Sequence, residues 1–463
     1  MKNGIGIRGQ LFKVIFSIVM FFASSCFGYA ASAIDVELDV PSWQFVVGHL
    51  PASPSTMSIT ADERTFAKQV MPLVEQKAFD KALRLFDKQD ISAMSAKLRE
   101  LYGQILLSNK RYDKARDVLS SVIEEEPDLG SAHRALSLAY LMQDALPQAR
   151  HHLTRCIELG INDPQVFGQL AYTNLQMGKA VTAISGYQQA LLLEPDNEQW
   201  YQGLLYALIQ SNSLAQAESL LTQMLAQSPE DKQLWLQRSQ LALKQGNTTK
   251  AIGSLETALS LGNNTTANLV TLAKLHIKAG STTRATHLLA EHSDILLQDT
   301  TGEGVSAYVD IATHLVNTQQ WQLLATSLEH LSHKTQRLST EHKSQFDVLH
   351  AQLAISKGQN KQALTRLRSA LDAVPDNGEA LLLLAQIYRK QHRLDHAKML
   401  YIRAQALEET KQRAMLAQAQ MAIEQQDYVE ALSLLRDVYS HYPSRTDLLH
   451  NITALEKIIK HAA

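Results

Sequence analysis

Histidine is the reactive side chain this sequence holds in quantity, with 17 in all, and five of them (His314, His330, His333, His342 and His350) crowd into one stretch. His330 and His333 stand three apart, which on a helix puts both imidazoles on one face, where they could share a metal ion with Glu329 or His342. No HExxH or CxxC spacing accompanies the pair, and histidines scattered over a surface give the same pattern. A histidine-rich surface could equally sense pH. A Gly-rich phosphate loop, a GxSxG elbow and a carboxylate pair beyond ordinary helix-face charge are all missing, so neither catalysis nor a cofactor is expected. The 44 Lys and Arg against 46 Asp and Glu give a net charge of −2, without the basic stripe that nucleic-acid phosphates require.

The elements that position these residues follow a period. An Ala after a short polar turn recurs at Ala115, Ala149, Ala183, Ala217, Ala251 and Ala285, each 34 residues after the last. Twelve residues before it stand Gly103, Ser137, Ala171, Leu205, Ser239 and Ala273, and four after it Leu119, Leu153, Tyr187, Leu221, Leu255 and Leu289. Gly178, Gly246 and Gly280, with Asn212 in the same slot, sit where a first helix ends, as residues that accept a left-handed conformation. Pro127, Pro195 and Pro229 recur twelve after the Ala, where proline stops a second helix. Each copy therefore predicts two helices joined by a tight turn. The composition agrees, with only 6% aromatic residues, 20 Gly and 11 Pro.

This pattern resembles the tetratricopeptide repeat family over residues 61–445, about four-fifths of the chain. The resemblance implies an all-α fold, a right-handed superhelical solenoid of antiparallel helix pairs closed by a C-terminal cap helix. Residues 61–95 read as a degenerate first repeat, 96–265 as five regular units, 266–343 as two units with five-residue insertions, 344–445 as three more units and 446–463 as the cap. The insertions are expected in the loops 299–304 and 334–343, because the key position moves by 39 residues to Leu324 and again to Ala363. Leu205 at a small-residue site, and Ile161, Asn263 and Glu409 at proline sites, depart from the family pattern. Cys156 falls seven after Ala149, where other copies have Ala190 and Ala258, so it reads as a small core residue.

The first 33 residues carry Lys2, Arg8 and Lys13, an apolar run and the small-x-small triplet Ala31-Ser32-Ala33, which read as a secretory signal. Its removal leaves 41 minus 46, or −5. Two alternatives stay open. Residues 14–34 are uncharged and long enough to span a bilayer as an uncleaved anchor, and Cys26 lies in a partial bacterial lipobox. Residues 34–60, with three prolines and no helical period, read as an extended leader whose Trp43 and Phe45 could dock on the first helices or enter a groove. A periplasmic location follows from the signal.

In this family the first helix of each pair lines the concave surface. The register assigns to that surface Leu138, Tyr172, Tyr206 and Gln240 eleven before the key Ala, Leu141, Leu175 and Ile209 eight before, and Gln202 and Leu236 fifteen before, bordered by Gln169, Gln199, Gln237 and Lys244. Such a groove, apolar with two tyrosines, suits a peptide or amphipathic helix of a protein partner. The Lys and Asn pairing that grips a C-terminal carboxylate elsewhere in the family has no counterpart in this register. The expected function is a non-enzymatic periplasmic scaffold within an envelope assembly or export complex; the alternative is a glycan- or metal-binding accessory of envelope polysaccharide export.

Overall fold

A computed structural model describes residues 60–299, 301–331 and 338–462. Among the described residues every regular element is helical apart from turns, with no strand. The chain divides into two compact units that part between Asn247 and Thr248.

The first unit holds α1 (Ala61–Glu75), α2 (Phe79–Phe86), α3 (Ala96–Ser108), α4 (Tyr112–Glu125), α5 (Gly130–Leu141), α6 (Leu146–Glu158), α7 (Pro164–Gln176), α8 (Ala180–Leu193), α9 (Glu198–Gln210), α10 (Leu214–Gln227) and α11 (Lys232–Lys244). Each helix packs on the next, and first helices also touch across repeats, α3 on α5 and α7 on α9. The second unit holds α12 (Thr248–Ser260), α13 (Thr266–Lys278), α14 (Thr282–Glu291), α15 (Ser293–Gln298), α16 (Glu303–Asn317), α17 (Trp321–Leu331), α18 (Thr340–Ser356), α19 (Asn360–Ala373), α20 (Gly378–Lys390), α21 (Leu394–Gln405), α22 (Glu408–Glu424), α23 (Tyr428–His441) and α24 (Leu448–Ala462).

The repeat positions explain the packing. The key residues Ala115, Ala149, Ala183, Ala217, Ala251, Ala285, Leu324, Ala363, Ala397 and Ala431 are all 0% exposed, because only a small or well-seated side chain fits where the second helix crosses the first. A Cβ added to Gly103 would lie 2.6 Å from the Leu119 side chain, so the small residue of α3 and the leucine of α4 share one crossing. At Leu205 the small residue is missing from this crossing, and α9 makes its close approach instead to the second helix of the preceding repeat, α8. There a Cβ on Gly203 would lie 2.3 Å from the Tyr187 ring. In the same way Gly168 of α7 lies under the indole of Trp200, at 2.3 Å from a built Cβ.

Turns and stops follow the expected chemistry. Gly178 and Gly246 take φ of 74° and 72°, and Asn212 takes 59°; each donates its N–H back to a carbonyl of the ending helix, as Gly178 does to Leu175 at 2.9 Å. Helices α4, α8 and α10 end two residues before Pro127, Pro195 and Pro229. The corners without proline are filled otherwise. The Ile161 side chain covers Gly130, Asn268 Nδ2 donates to Asn263 Oδ1 at 2.8 Å, and the Thr410 hydroxyl beside Glu409 donates to the Ala404 backbone carbonyl at 2.7 Å.

The stretched repeats differ in detail from the expected loops. The residues inserted after α14 form the short helix α15, followed by a turn in which Asp299 accepts from Thr301 and Gly304. Burying Leu296, at 0% exposure, gives that extra segment a core contact. The second insertion falls partly outside the described residues, as do residues 1–59 with the signal, anchor, lipobox and leader readings. The final helix α24 buries Leu448, Ile452 and Leu455 against α23, but Leu449 is 43% exposed, so its apolar stripe is narrower than the sequence suggested. Among the described residues no helix is long and apolar enough to cross a membrane.

Candidate functional site

The face on which the register converges is built from α7, α9 and α11, the first helices of three successive repeats in the first unit. Each starts from a side-chain cap: Asp163 accepts from the Gln165 N–H at 2.8 Å, Asn197 from Gln199 and Trp200 at 3.0 and 3.4 Å, and Asp231 from Gln233 at 2.8 Å. These caps fix the first turn and thereby the rotation of each helix. Arg134 pairs with the capping Asp163 at 3.2 Å, joining α5 to the start of α7. Trp200 donates from Nε1 to Glu194 at 2.9 Å, locking α9 over the end of α8.

The assigned residues separate into two groups. Tyr172, Gln202 and Tyr206 are half-buried and Lys244 is exposed. Both tyrosines pack along one edge of the same core cluster, which contains Tyr187, Trp200 and Leu208. The Tyr206 hydroxyl accepts from the Gln210 amide at 3.0 Å, and Gln237 donates to the Gln202 carbonyl oxygen at 2.9 Å, tying α11 to α9. Burial pushes the Tyr172 phenol above its ordinary value, with the Asp144 carboxylate acting in the same direction.

The other group corrects the expectation of an open apolar strip. Leu138, Leu141, Leu175, Ile209 and Leu236 are 5–9% exposed, and Gln240 is 8% exposed. The residues eight before the key Ala, Leu141, Leu175 and Ile209, are members of the hydrophobic core clusters between packed helices. What lies open on this face is therefore tyrosine and amide, with Lys244 at the end of α11. Helix α7 carries no charged residue and α9 only Glu198. On α11, Arg238 turns away, with its guanidinium 5.3 Å from the Trp235 ring centre and 3.6 Å from Glu218.

Several features escaped the sequence reading. The position eighteen before the key Ala is Gln165, Gln199 and Gln233 in three consecutive copies, a repetition visible by alignment of the repeats. A second feature, the contact of His133 on α5 with His152 on α6, had no sequence signal. Their Nδ1 atoms lie 2.9 Å apart, His133 Nε2 lies 2.9 Å from the Pro127 carbonyl, and the His152 ring stacks on Tyr140. Of the histidines that drew attention first, His333 and the side chain of His330 lie outside the described residues. His342 contacts Ser339 at 3.0 Å. Burial lowers the His350 imidazole, with Arg366 acting the same way. Among the described residues no three His, Cys, Asp or Glu side chains are grouped to hold a metal ion. Cys156 is fully buried and burial pushes its thiol up to about 12, as suits an inert core residue.

Family models described as tetratricopeptide repeat match residues 73–139, 174–241 and 354–420, and a further one matches 413–444. The chain is a tetratricopeptide repeat protein. The matched stretches include all of α9, most of α11 and the last residues of α7, so Gln202, Tyr206 and Gln240 lie inside a matched stretch while Gln169 and Tyr172 lie just before it. Tetratricopeptide repeat proteins bind protein partners and are generally non-catalytic.

Among solved structures, the chain is similar to Naa15/Naa10 bound to HypK-THB, at 14% identity over 81% of this chain and 68% of that one, with a TM-score of 0.38. It is also similar to YrrB, described as a TPR protein with an unusual peptide-binding site, at 19% identity over 42% of this chain and 96% of that one, with a TM-score of 0.36. A tetratricopeptide repeat protein from Parabacteroides merdae matches at 11% identity over 58% of this chain and all of that one, with a TM-score of 0.36.

Proposed function

We propose that this tetratricopeptide array is a periplasmic scaffold that holds a partner polypeptide against the face of α7, α9 and α11, within an envelope assembly or export complex, without catalysing a reaction. The observation that carries the reading is the composition of that face. Two half-buried tyrosines and a row of amides form a surface whose α7 and α9 carry one charged residue between them, Glu198, with Lys244 exposed at the end of α11, supported on a capped set of helices. Tyrosine gives large contact area with a polar tip at little entropic cost, and rigid helices keep the ordering penalty of binding low. The periplasmic assignment rests on the signal-like first 33 residues.

The experiment is a cross-linked pull-down from the native envelope with tagged wild type beside the Tyr172→Ala, Tyr206→Ala double variant, read by mass spectrometry. A partner captured by wild type and lost by the variant, at unchanged helicity, supports the reading. Capture of the same partners by both forms removes this face as the binding surface. Release of the protein by osmotic shock, against retention in the cytosolic fraction, tests the location.

A further inference from the structure

A cationic cluster in the second unit stands independently of the function just proposed. Tyr388, near the end of α20, is 7% exposed, and three basic side chains close on it. Arg368 of α19 donates from Nη2 to the Tyr388 hydroxyl at 3.1 Å, and the Arg393 guanidinium lies over the ring, 4.8 Å from its centre. The His396 ring of α21 meets the tyrosine edge-on, with centroids 5.7 Å apart. Arg393 Nη2 lies 3.0 Å from His396 Nε2; arginine only donates, so that nitrogen accepts and the imidazole is neutral. Arg368, Arg393 and His396 are all exposed.

No carboxylate answers the two guanidiniums. Other cations of this region have acids: Arg366 pairs with Asp347 at 2.8 Å, Lys398 with Glu430 at 2.7 Å and Arg389 with Glu424 at 3.9 Å. Asp372 acts on Arg368 through charge alone. Among the described residues neither Arg368 nor Arg393 lies within ion-pair distance of an acid, Asp395 included.

An earlier junction of the same unit shows what this one lacks. Glu256, His276 and Arg284 hold the repeat positions of Arg368, Tyr388 and His396: five after one key Ala, then nine and one before the next. There the Glu256 carboxylate lies 2.9 Å from His276 Nε2 and accepts from Arg284 Nε and Nη2 at 2.9 and 2.7 Å. In the later copy a cation, Arg368, stands where that junction has its anion. We infer that Arg368, Arg393 and His396, set around Tyr388, bind a phosphate monoester group. Such a group carries about −1.5 to −2 at neutral pH on three acceptor oxygens, which balances two guanidinium charges; a carboxylate brings one charge. Each guanidinium fork can take two oxygens at once, and the tyrosine holds both forks beforehand, by its hydroxyl and by its ring face.

The test titrates inorganic phosphate and phenyl phosphate into the full chain by calorimetry at low ionic strength, with acetate as the carboxylate control. Wild type should bind both phosphates, and acetate about tenfold more weakly or not at all. The Arg368→Gln, Arg393→Gln variant should bind phosphate about tenfold or more weakly, while Arg366→Gln, whose partner is Asp347, keeps the wild-type affinity. Arg368→Glu, which returns a carboxylate to the place of Glu256, should bind no phosphate at an equal or higher urea midpoint. Wild-type affinity in the double variant, acetate bound as tightly as phosphate, or phosphate binding by Arg368→Glu overturns the inference. The source of the phosphate is read by co-sedimentation with equimolar phosphatidylcholine and phosphatidic acid vesicles, whose acidic headgroup is a monoester, beside vesicles with phosphatidylglycerol, a diester. Sedimentation with phosphatidic acid alone, lost in the double variant, assigns the group to a lipid; phosphate binding without sedimentation assigns it to a soluble phosphate compound. Equal sedimentation with both lipids reports charge attraction only and overturns the monoester site. Binding of neither phosphate nor vesicles overturns it too, and leaves the polypeptide-binding face of the first unit standing.

Discussion

Acidification should loosen the α5–α6 pair through His133 and His152. The Pro127 carbonyl can only accept, so His133 Nε2 carries its proton and the neutral ring leaves Nδ1 as an acceptor. His152 Nδ1 must then donate across the 2.9 Å contact. A proton added to His133 Nδ1 sets two donors against each other. Burial, then His133, then His151 hold His152 down at about 4 from an ordinary 6.5, and burial lowers His133 as well, with Arg155 and His151 adding to it against Pro127 and Asp128. The unfolded chain therefore binds more protons than the folded one between those two values. The neutral pair is fully compatible with folding above about pH 6.5, and stability falls as pH drops from there toward 4. A 2.5-unit depression corresponds to about 3.4 kcal/mol at most, and partial exposure of His152 screens this to roughly 1–2 kcal/mol.

The assay is hydrogen exchange of the amides in residues 130–158, comparing wild type with His152→Asn, whose amide can donate to His133 without titrating. Comparison at each pH cancels the chemical exchange rate. Between pH 7.5 and 5.0 the wild type should lose about 5–30-fold in protection relative to the variant, the equivalent of that free energy. A ratio independent of pH, or one that moves the other way, would refute the argument.

Two further predictions concern packing. Gly168→Ala and Gly203→Ala each drive a Cβ to within 2.3 Å of a buried aromatic ring and should cost roughly 1–3 kcal/mol, read as a lower urea midpoint. Gly253→Ala, on an exposed face of α12 with nothing within 4 Å of the added carbon, should instead stabilise by about 0.5–1 kcal/mol. In a Cys26→Ser protein, Cys156 should be inert to a thiol reagent when folded and react with one equivalent in guanidinium. Rapid labelling of the folded chain would contradict its placement in the core.

The fold was legible because the repeat lets few residues do one job many times. A small residue under a leucine, as Gly103 lies under Leu119, leaves the same mark in every copy, and the turn slots of Gly178 and Asn212 declare a left-handed backbone directly. The packing of Gly203 under the Tyr187 ring of the preceding repeat lies outside the repeat pattern and is legible only once the rings are placed. The face was less legible because a period says which side of a helix a residue takes and not what covers it. Gln240 shares the repeat position of Tyr172 and is nearly buried, and Leu141 and Ile209 close into the seam between helices. The His133–His152 contact joins two helices through side-chain rotation, which no one-dimensional spacing encodes.

The central claim, that a partner polypeptide lies on the tyrosine and amide face, is tested most directly by placing a photo-reactive phenylalanine at one position at a time. Tyr206 stands on the proposed face, and Leu192 on α8, 72% exposed, offers a competing apolar spot on a second helix. Irradiation in the native envelope should yield a protein adduct from position 206 and none from position 192. An adduct from 192 with none from 206 would place the partner on the second helices and contradict the account.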